Sequence, residues 1–195
     1  ALAKWKRNEE NQIVPPLEPY FWKAFNDNQL ASHLANRTKS WKEAGAERTL
    51  VGFDIEEKKG NGIALVYRFT LPVGADYTLR YDIYGEGEVK VTVDYKPPAE
   101  NIELLPKFGM RMRLPADYQE VEYYGRGPWE NYPDRKRSAF IGRYKMPLSE
   151  MMTEYIHPQD NGNRCDIRWF ELSKHTANSP DTAARTLRIE GSQPL

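Results

Sequence analysis

Hydrophobic and polar residues alternate along much of this chain. In residues 77–83 the odd positions are apolar and the even positions polar, and residues 89–95 repeat the pattern after the segment Gly85-Glu86-Gly87. A period of two places the apolar side chains on one face of a β-strand. Two such runs joined by a short glycine-containing segment predict a β-hairpin.

The same period recurs elsewhere. Residues 51–55 and 63–69 alternate on either side of Asn61-Gly62, a dipeptide typical of tight turns, and predict a second hairpin before the first. The polar stretch 173–184 contains a Ser-Pro-Asp turn and predicts a loop. Shorter alternating segments predict further strands at Met110/Met112/Leu114, Val121/Tyr123, Cys165/Ile167/Trp169 and Leu187/Ile189.

One segment, from about residue 29 to residue 44, has helical spacing. Its apolar stripe consists of Leu30, Leu34 and Trp41. Asp27 or Asn28 is expected to cap the start, and Gly45 to end the helix. Many strands separated by turns, with one short helix and no crossover helices, predict an all-β fold of the antiparallel sandwich type.

Composition excludes several classes of protein. The chain has 195 residues, and its 28 Lys and Arg balance its 28 Asp and Glu, so no net positive charge favours nucleic-acid binding. One Cys excludes a disulfide scaffold. The longest apolar run, residues 63–67, is far shorter than the roughly 20 residues of a membrane-spanning helix. The N-terminus has no apolar signal core, so we expect a mature chain or an internal cut.

Carboxylates could form a glycosidase acid and nucleophile pair, and they are densest at Glu120/Glu122 and Glu130/Asp134. On a strand, Glu120 and Glu122 would share a face at a spacing near the ~5–5.5 Å of a retaining pair. Because they alternate with apolar residues, a solvated strand face is the favoured interpretation.

The other reactive side chains do not form a recognisable catalytic or metal site. His33, His157 and His175 are scattered, and His157 with Asp160 is only half of a metal site. Cys165 is predicted to pack as a small hydrophobe on a strand face. We therefore assign no catalytic residue and no metal ligand.

The most unusual stretch is residues 123–135, in which aromatic rings alternate with planar polar groups. This combination binds sugars through ring stacking and hydrogen bonds, and it also suits a packed loop at a domain interface. The residues alone favour neither interpretation over the other.

Four segments of the chain resemble, in order, motifs of the C-terminal domain of bacterial beta-galactosidases of glycoside hydrolase family two. Residues 125–135 (GRGPWENYPDR) are similar to the pattern G-x-G-P-x-E-N-Y-P-D-R. Residues 20–28 (YFWKAFNDN), 144–151 (YKMPLSEM) and 155–165 (YIHPQDNGNRC) are similar to FWRAPTDN, LPLSDM and P-x-E-N-G-x-R-C. The similarity covers about residues 1–172.

The resemblance implies a beta-supersandwich of the galactose-mutarotase-like fold, with residues 1–195 forming one domain that is incomplete at its C-terminal end. In that family the catalytic glutamates and the magnesium and sodium ligands lie in other domains, so no cofactor is expected here. A galactose-stacking Trp near the family domain's C-terminus has no counterpart before Leu195.

Two functions follow as hypotheses. The first is a non-catalytic domain of a beta-galactosidase, which lines the substrate cleft and supports assembly while the parent chain hydrolyses beta-galactosides such as lactose. Its partners would be the other domains, the sugar and further copies of the parent, in the bacterial cytoplasm or, alternatively, the periplasm. The second is a stand-alone carbohydrate-binding module, in which Trp129, Asn131, Asn161 and Arg164 contact a sugar.

Overall fold

The computed structural model describes residues 5–7, 10–13, 17–58, 62–98, 104–157, 159–174 and 186–192. Strands dominate these residues and all their pairings are antiparallel, which confirms the all-β fold class. The strands are β1 (Trp5–Arg7), β2 (Glu10–Ile13), β3 (Glu18–Tyr20), β4 (Thr49–Lys58), β5 (Gly62–Thr70), β6 (Asp76–Ile83), β7 (Val89–Lys96), β8 (Gly109–Arg111), β9 (Tyr118–Gly127), β10 (Phe140–Pro147), β11 (Trp169–Lys174) and β12 (Thr186–Glu190).

The chain divides into two compact units. The central unit comprises Pro15–Met112, and the terminal unit comprises Ala1–Val14 together with Arg113–Leu195. The single domain over residues 1–195, incomplete at its C-terminal end, stays a prediction. No helix in the described part of the chain is long and apolar enough to cross a bilayer.

The central unit contains a four-stranded sheet in the order β4-β5-β6-β7 and a small sheet of β3 and β8. Both predicted hairpins are confirmed. Tyr77 pairs with Tyr95 across β6 and β7, and the turn between them is closed by the N–H of Tyr84, which donates to the carbonyl of Glu88 at 2.9 Å. In the hairpin of β4 and β5, the turn residue Asn61 lies outside the described residues.

One face of this sheet is apolar, as the period of two requires. Tyr77, Leu79 and Tyr81 are buried on it, and the ring of Phe21 packs edge-on against Tyr77 with centroids 6.1 Å apart. Burial decreases toward the edge strand β4, where Phe53 is exposed. The core of the central unit therefore lies over β5 and β6.

The opposite face of the sheet is polar and carries ion pairs. Asp82 is buried and accepts hydrogen bonds from Lys58 at 2.8 Å and from Arg80 at 3.0 Å. Burial alone would raise the pKa of Asp82, but these hydrogen bonds and charges outweigh it and lower the pKa below its ordinary value.

The predicted helix is divided into three pieces. Helix α1 spans Asp27–Ala31, α2 spans Leu34–Arg37, and a 3₁₀ turn spans Lys39–Trp41. His33 has a φ of 56°, a left-handed conformation that interrupts the helix. The cap also differs from the prediction, because Asn26 accepts from the N–H of Gln29 at 3.0 Å while the N–H of Asn26 donates to the Gln29 side chain at 3.2 Å.

The terminal unit contains a four-stranded sheet in the order β10-β9-β11-β12 and the β1–β2 pair. Val121, Tyr123, Leu172 and Leu187 are buried on one face of the larger sheet. The predicted strands at Val121/Tyr123 and Leu187/Ile189 are confirmed.

Three predicted segments need correction. Cys165 and Ile167 precede β11 in a bent loop, because the φ of 56° at Asp166 breaks the extended backbone between them. β8 ends at Arg111, so Met112 and Leu114 lie outside it. Ser173 belongs to β11, and residues 175–184 of the predicted loop lie outside the described residues.

Candidate functional site

The unusual stretch of the sequence runs from the end of β9 into a loop that packs against a second loop. We call residues 125–135 the signature segment and residues 159–168 the facing loop. Backbone hydrogen bonds join them: the N–H of Arg126 donates to the carbonyl of Cys165 at 3.1 Å, and that of Asn131 donates to the carbonyl of Asn163 at 2.8 Å. The two segments therefore form one cluster within the terminal unit.

Asn131 lies at the centre of this cluster and is only 1% exposed. Its Nδ2 donates to the carbonyls of Arg126 at 3.2 Å and Trp129 at 3.0 Å, and its Oδ1 accepts from the N–H of Cys165 at 2.8 Å. Both ends of the amide are bonded to backbone, away from solvent. The Asn131 side chain thus holds the two segments together, and its predicted sugar contact stays a prediction.

Close approach of the two segments requires glycine at position 125. A Cβ built there would lie 2.9 Å from the Cα of Ile167 and 3.1 Å from the carbonyl oxygen of Asp166. Backbone atoms cannot move aside as a flexible side chain would, so a larger residue would separate the segments.

Arg164 joins three loops through backbone carbonyls. Its Nε donates to the carbonyl of Pro128 at 3.1 Å, and its Nη1 donates to those of Met151 at 3.3 Å and Gly162 at 2.9 Å. The side chain is half-buried. Its donors hold the neighbouring loops together, which limits what the guanidinium can offer to a ligand.

Glu130 is the most enclosed carboxylate of the signature segment, with a side chain 10% exposed. It accepts hydrogen bonds from the Tyr155 hydroxyl, from the N–H of Gly162 at 2.9 Å and from Arg135 at 3.2 Å. Burial alone would raise the pKa of Glu130, but these hydrogen bonds outweigh it and the pKa lies below its ordinary value. Glu130 therefore stays ionised and tied to its neighbours.

Asp166 forms the other charged contact of the cluster. Hydrogen bonds from Arg126 and Lys136 lower the pKa of its carboxyl group. The Lys136 Nζ lies 2.9 Å from Oδ1, and Arg126 also donates to the carbonyl of Ala139 at 2.8 Å. Asp166 thus forms ion pairs with two cationic side chains of the cluster.

The remaining candidates for chemistry include Glu120 and Glu122, which share one face of β9. Glu120 and Glu122 form ion pairs with Lys145 and Arg143 across β9 and β10. His157 is exposed, and His175 falls outside the described residues. Among the residues that the structure describes, no three His, Cys, Asp or Glu side chains are grouped so that they could hold a metal ion.

Cys165 is buried, in agreement with the predicted packing role, although its backbone belongs to the facing loop. Its Sγ lies 3.5 Å from the carbonyl oxygen of Asn131 and 3.4 Å from the Nδ2 of Asn163. The thiol fills space at the centre of the cluster, with no histidine or basic side chain among these contacts.

The four residues predicted to contact a sugar are all in this cluster, but they are not equivalent. Trp129 is 79% exposed and Asn161 is half-buried. The side chains of Asn131 and Arg164, in contrast, are hydrogen-bonded to backbone groups. Sequence reasoning missed the roles of Glu130 and Tyr155. It also missed the exposed apolar side chains of Met152 and Ile156. The dipeptide Tyr155-Ile156 inside a polar segment is the sequence feature that could have indicated them.

Comparison with known proteins gives a consistent result. Residues 1–191 match the family model described as the beta galactosidase small chain. The chain is 34% identical over 181 residues to a beta-galactosidase of Lactobacillus delbrueckii subsp. bulgaricus, covering 89% of this chain and 18% of that protein. It is 31% identical over 166 residues to one from Halalkalibacterium halodurans, covering 84% and 16%, and 31% identical over 183 residues to one from Vibrio cholerae, covering 88% and 18%. It therefore spans less than a fifth of these relatives' length.

Proposed function

Because the chain belongs to the beta-galactosidase small-chain family, we propose that it is a non-catalytic part of a beta-galactosidase. In this role it lines one side of the substrate cleft and supports assembly, while the parent polypeptide hydrolyses terminal beta-D-galactosides such as lactose. The segment that the relatives share with this chain is 16 to 18% of their length, which leaves ample sequence for a separate catalytic domain.

The observation that carries this proposal is the state of Glu130. A glycosidase needs two carboxyl groups beside the sugar, and the acid among them needs a raised pKa. Glu130 has a lowered pKa and is held by Tyr155, Gly162 and Arg135. Glu120 and Glu122 are paired with cations on a sheet surface. These carboxylates are suited to stabilising the fold, and chemistry is left to other domains.

The remaining parts of the proposal concern the parent protein. The catalytic glutamates and the Mg²⁺ and Na⁺ sites belong to its other domains, so no cofactor is assigned to this chain. The parent is a homo-oligomer of the bacterial cytoplasm, with the periplasm as the alternative compartment. The family resemblance supports the location of these sites, the oligomeric state and the compartment.

A stand-alone carbohydrate-binding module is the second candidate, and the exposed ring of Trp129 favours it. Sugar recognition needs polar groups beside the ring as well. The amide of Asn131 is buried and the guanidinium of Arg164 is bonded to backbone carbonyls. This leaves the half-buried Asn161 as the remaining amide among the four residues, which makes the module the weaker candidate.

The experiment is an activity assay of the isolated chain on a nitrophenyl beta-galactoside. We expect the isolated chain to hydrolyse no more substrate than a control preparation from cells that lack the gene for this chain. Hydrolysis that disappears in Glu130→Gln or Glu120→Gln would identify a catalytic carboxylate and overturn the proposal. Hydrolysis unchanged in both variants after repeated purification would also overturn it, by placing catalysis elsewhere in this chain.

A further inference from the structure

We propose that four exposed apolar side chains of the terminal unit form a docking surface for another domain of the same polypeptide. They are Trp129, Met152, Tyr155 and Ile156, and we call them the outward cluster. The inference rests on the proposed function and adds to it the surface through which the chain is joined to its parent.

The members of the outward cluster are unusually accessible for their size and chemistry. Ile156 is 99% exposed, Trp129 79%, Met152 70% and Tyr155 37%. Single exposed apolar residues are common on protein surfaces, but several together, rimmed by polar groups, are typical of an interaction site. Tryptophan and tyrosine are also the residues that most often contribute strongly to binding at interfaces.

Specific contacts join the loops that carry these residues. Arg164 donates to the carbonyls of Pro128 and Met151, the neighbours of Trp129 and Met152. The hydroxyl of Tyr155 donates to Glu130, the residue that follows Trp129. The loops that carry the outward cluster are therefore fixed against one another before any partner arrives, which lowers the entropic cost of binding.

The polar groups around the cluster point to a protein partner with an apolar surface. Glu130 accepts hydrogen bonds from Tyr155, Gly162 and Arg135, and Arg164 donates to four backbone carbonyls. The polar side chains of Glu130 and Arg164 are thus used internally, and exposed polar residues such as Glu154 rim the rings and aliphatic groups of the outward cluster. An apolar partner can bury the four side chains of the outward cluster while Glu130 and Arg164 keep these hydrogen bonds.

The length of the relatives identifies where that partner comes from. This chain accounts for 16 to 18% of the relatives' length, so more than four fifths of each relative is sequence that this chain lacks. A domain within the same polypeptide is held close to the cluster and needs no separate binding event. We therefore infer an intramolecular interface at the outward cluster.

The test compares the isolated chain with a chimera in which this chain replaces the matched 181-residue segment of the Lactobacillus delbrueckii beta-galactosidase. Both proteins are treated with hydrogen peroxide, and oxidation of Met152 is followed by peptide mass spectrometry, because methionine oxidation depends on exposure. We expect oxidation of Met152 to slow severalfold in the chimera. Cys165, which is buried, should resist a thiol reagent in both proteins and reports that the terminal unit is folded.

Activity of the chimera on the nitrophenyl substrate separates the two proposals. An active chimera in which Met152 is oxidised as fast as in the isolated chain overturns the docking surface alone. An inactive chimera with protected Met152 supports the surface and counts against the proposed function. An inactive chimera with fast oxidation contradicts both.

A matched pair of variants tests the cluster directly. Ile156→Asp should restore Met152 oxidation in the chimera toward the rate of the isolated chain and leave the melting temperature of the isolated chain unchanged. Thr92→Asp places the same side chain at an exposed position of β7 and should leave Met152 protected. Equal protection of Met152 in the two variants would overturn the docking surface.

A galactose titration of the isolated chain tests the alternative occupant. If millimolar galactose quenches or shifts the fluorescence of Trp129, the surface binds sugar and the docking proposal is overturned.

Discussion

The backbone N–H of Cys165 donates to the side-chain oxygen of Asn131 at 2.8 Å, across 34 positions of sequence. Because Asn131 is buried, this bond and the two donated by its Nδ2 have no competition from water. The signature segment is therefore held in place by its own polar side chains.

Asn131→Asp should destabilise the chain strongly at neutral pH. The substitution keeps the oxygen that accepts from Cys165 but replaces the Nδ2 donor with a carboxylate oxygen facing the carbonyls of Arg126 and Trp129. We expect a loss of about 3 kcal/mol in the free energy of unfolding, measured by urea denaturation. Asn161→Asp, at a half-buried position of the facing loop, is the control and should cost much less. If both variants lost the same free energy of unfolding, the hydrogen bonds of Asn131 would not be the cause of the destabilisation.

Gly125→Ala should destabilise by about 2 kcal/mol, because the new methyl group overpacks against the backbone of Ile167 and Asp166. Gly85→Ala is the matched control, since no heavy atom lies within 4 Å of a Cβ at that position. It should change stability by less than about 0.5 kcal/mol. Thermal or urea unfolding of the two variants measures the difference in stability. If Gly125→Ala were as stable as wild type, the signature segment and the facing loop could separate without loss of stability.

Glu130 should make the stability of the chain depend on pH in the acidic range. Its pKa is lowered in the folded state, so its contribution is fully present above about pH 4.5, the ordinary value, and is lost as the pH falls through the folded pKa. Urea unfolding of wild type and Glu130→Gln should therefore differ most at pH 7 and converge below pH 4.5. Glu154→Gln, an exposed carboxylate nearby, controls for net charge. A difference that stays constant down to pH 3 would contradict the role of ionised Glu130.

Asn26→Ala should cost about 1 kcal/mol, because it removes the cap of α1. Asn28→Ala changes one of the two residues, Asp27 and Asn28, that the sequence pattern predicted as a cap. It should be neutral or slightly stabilising, since Asn28 lies inside α1. The helical circular dichroism signal during urea unfolding reports both. If Asn28→Ala were more destabilising than Asn26→Ala, α1 would begin later than Asp27.

The contrast between Tyr77 and Asn131 shows which features the sequence could predict. Tyr77, Leu79 and Tyr81 alternate with polar residues, and this local pattern alone places them on the buried face of β6. The burial of Asn131 depends on partners about 30 positions away, which no local period records. The fold class was therefore predictable from the sequence, whereas the internal use of the polar residues in the signature segment was not.

Errors in the predicted elements have the same origin. Cys165 and Ile167 share a period of two and are both buried, but the left-handed backbone at Asp166 places them in a loop. His33 interrupts the predicted helix in the same way. A single residue with positive φ leaves the hydrophobic pattern unchanged while redirecting the chain, and for residues other than glycine the sequence gives little warning of it.

The central claim is that this chain contributes structure, and no chemistry, to a beta-galactosidase. The most direct measurement is the turnover of a nitrophenyl beta-galactoside by three proteins: the isolated chain, the Lactobacillus delbrueckii enzyme without its matched 181-residue segment, and the chimera that carries this chain in its place. We predict no turnover by the first, little by the second and recovery in the third. Turnover by the isolated chain, or a chimera no more active than the shortened enzyme, would contradict the claim.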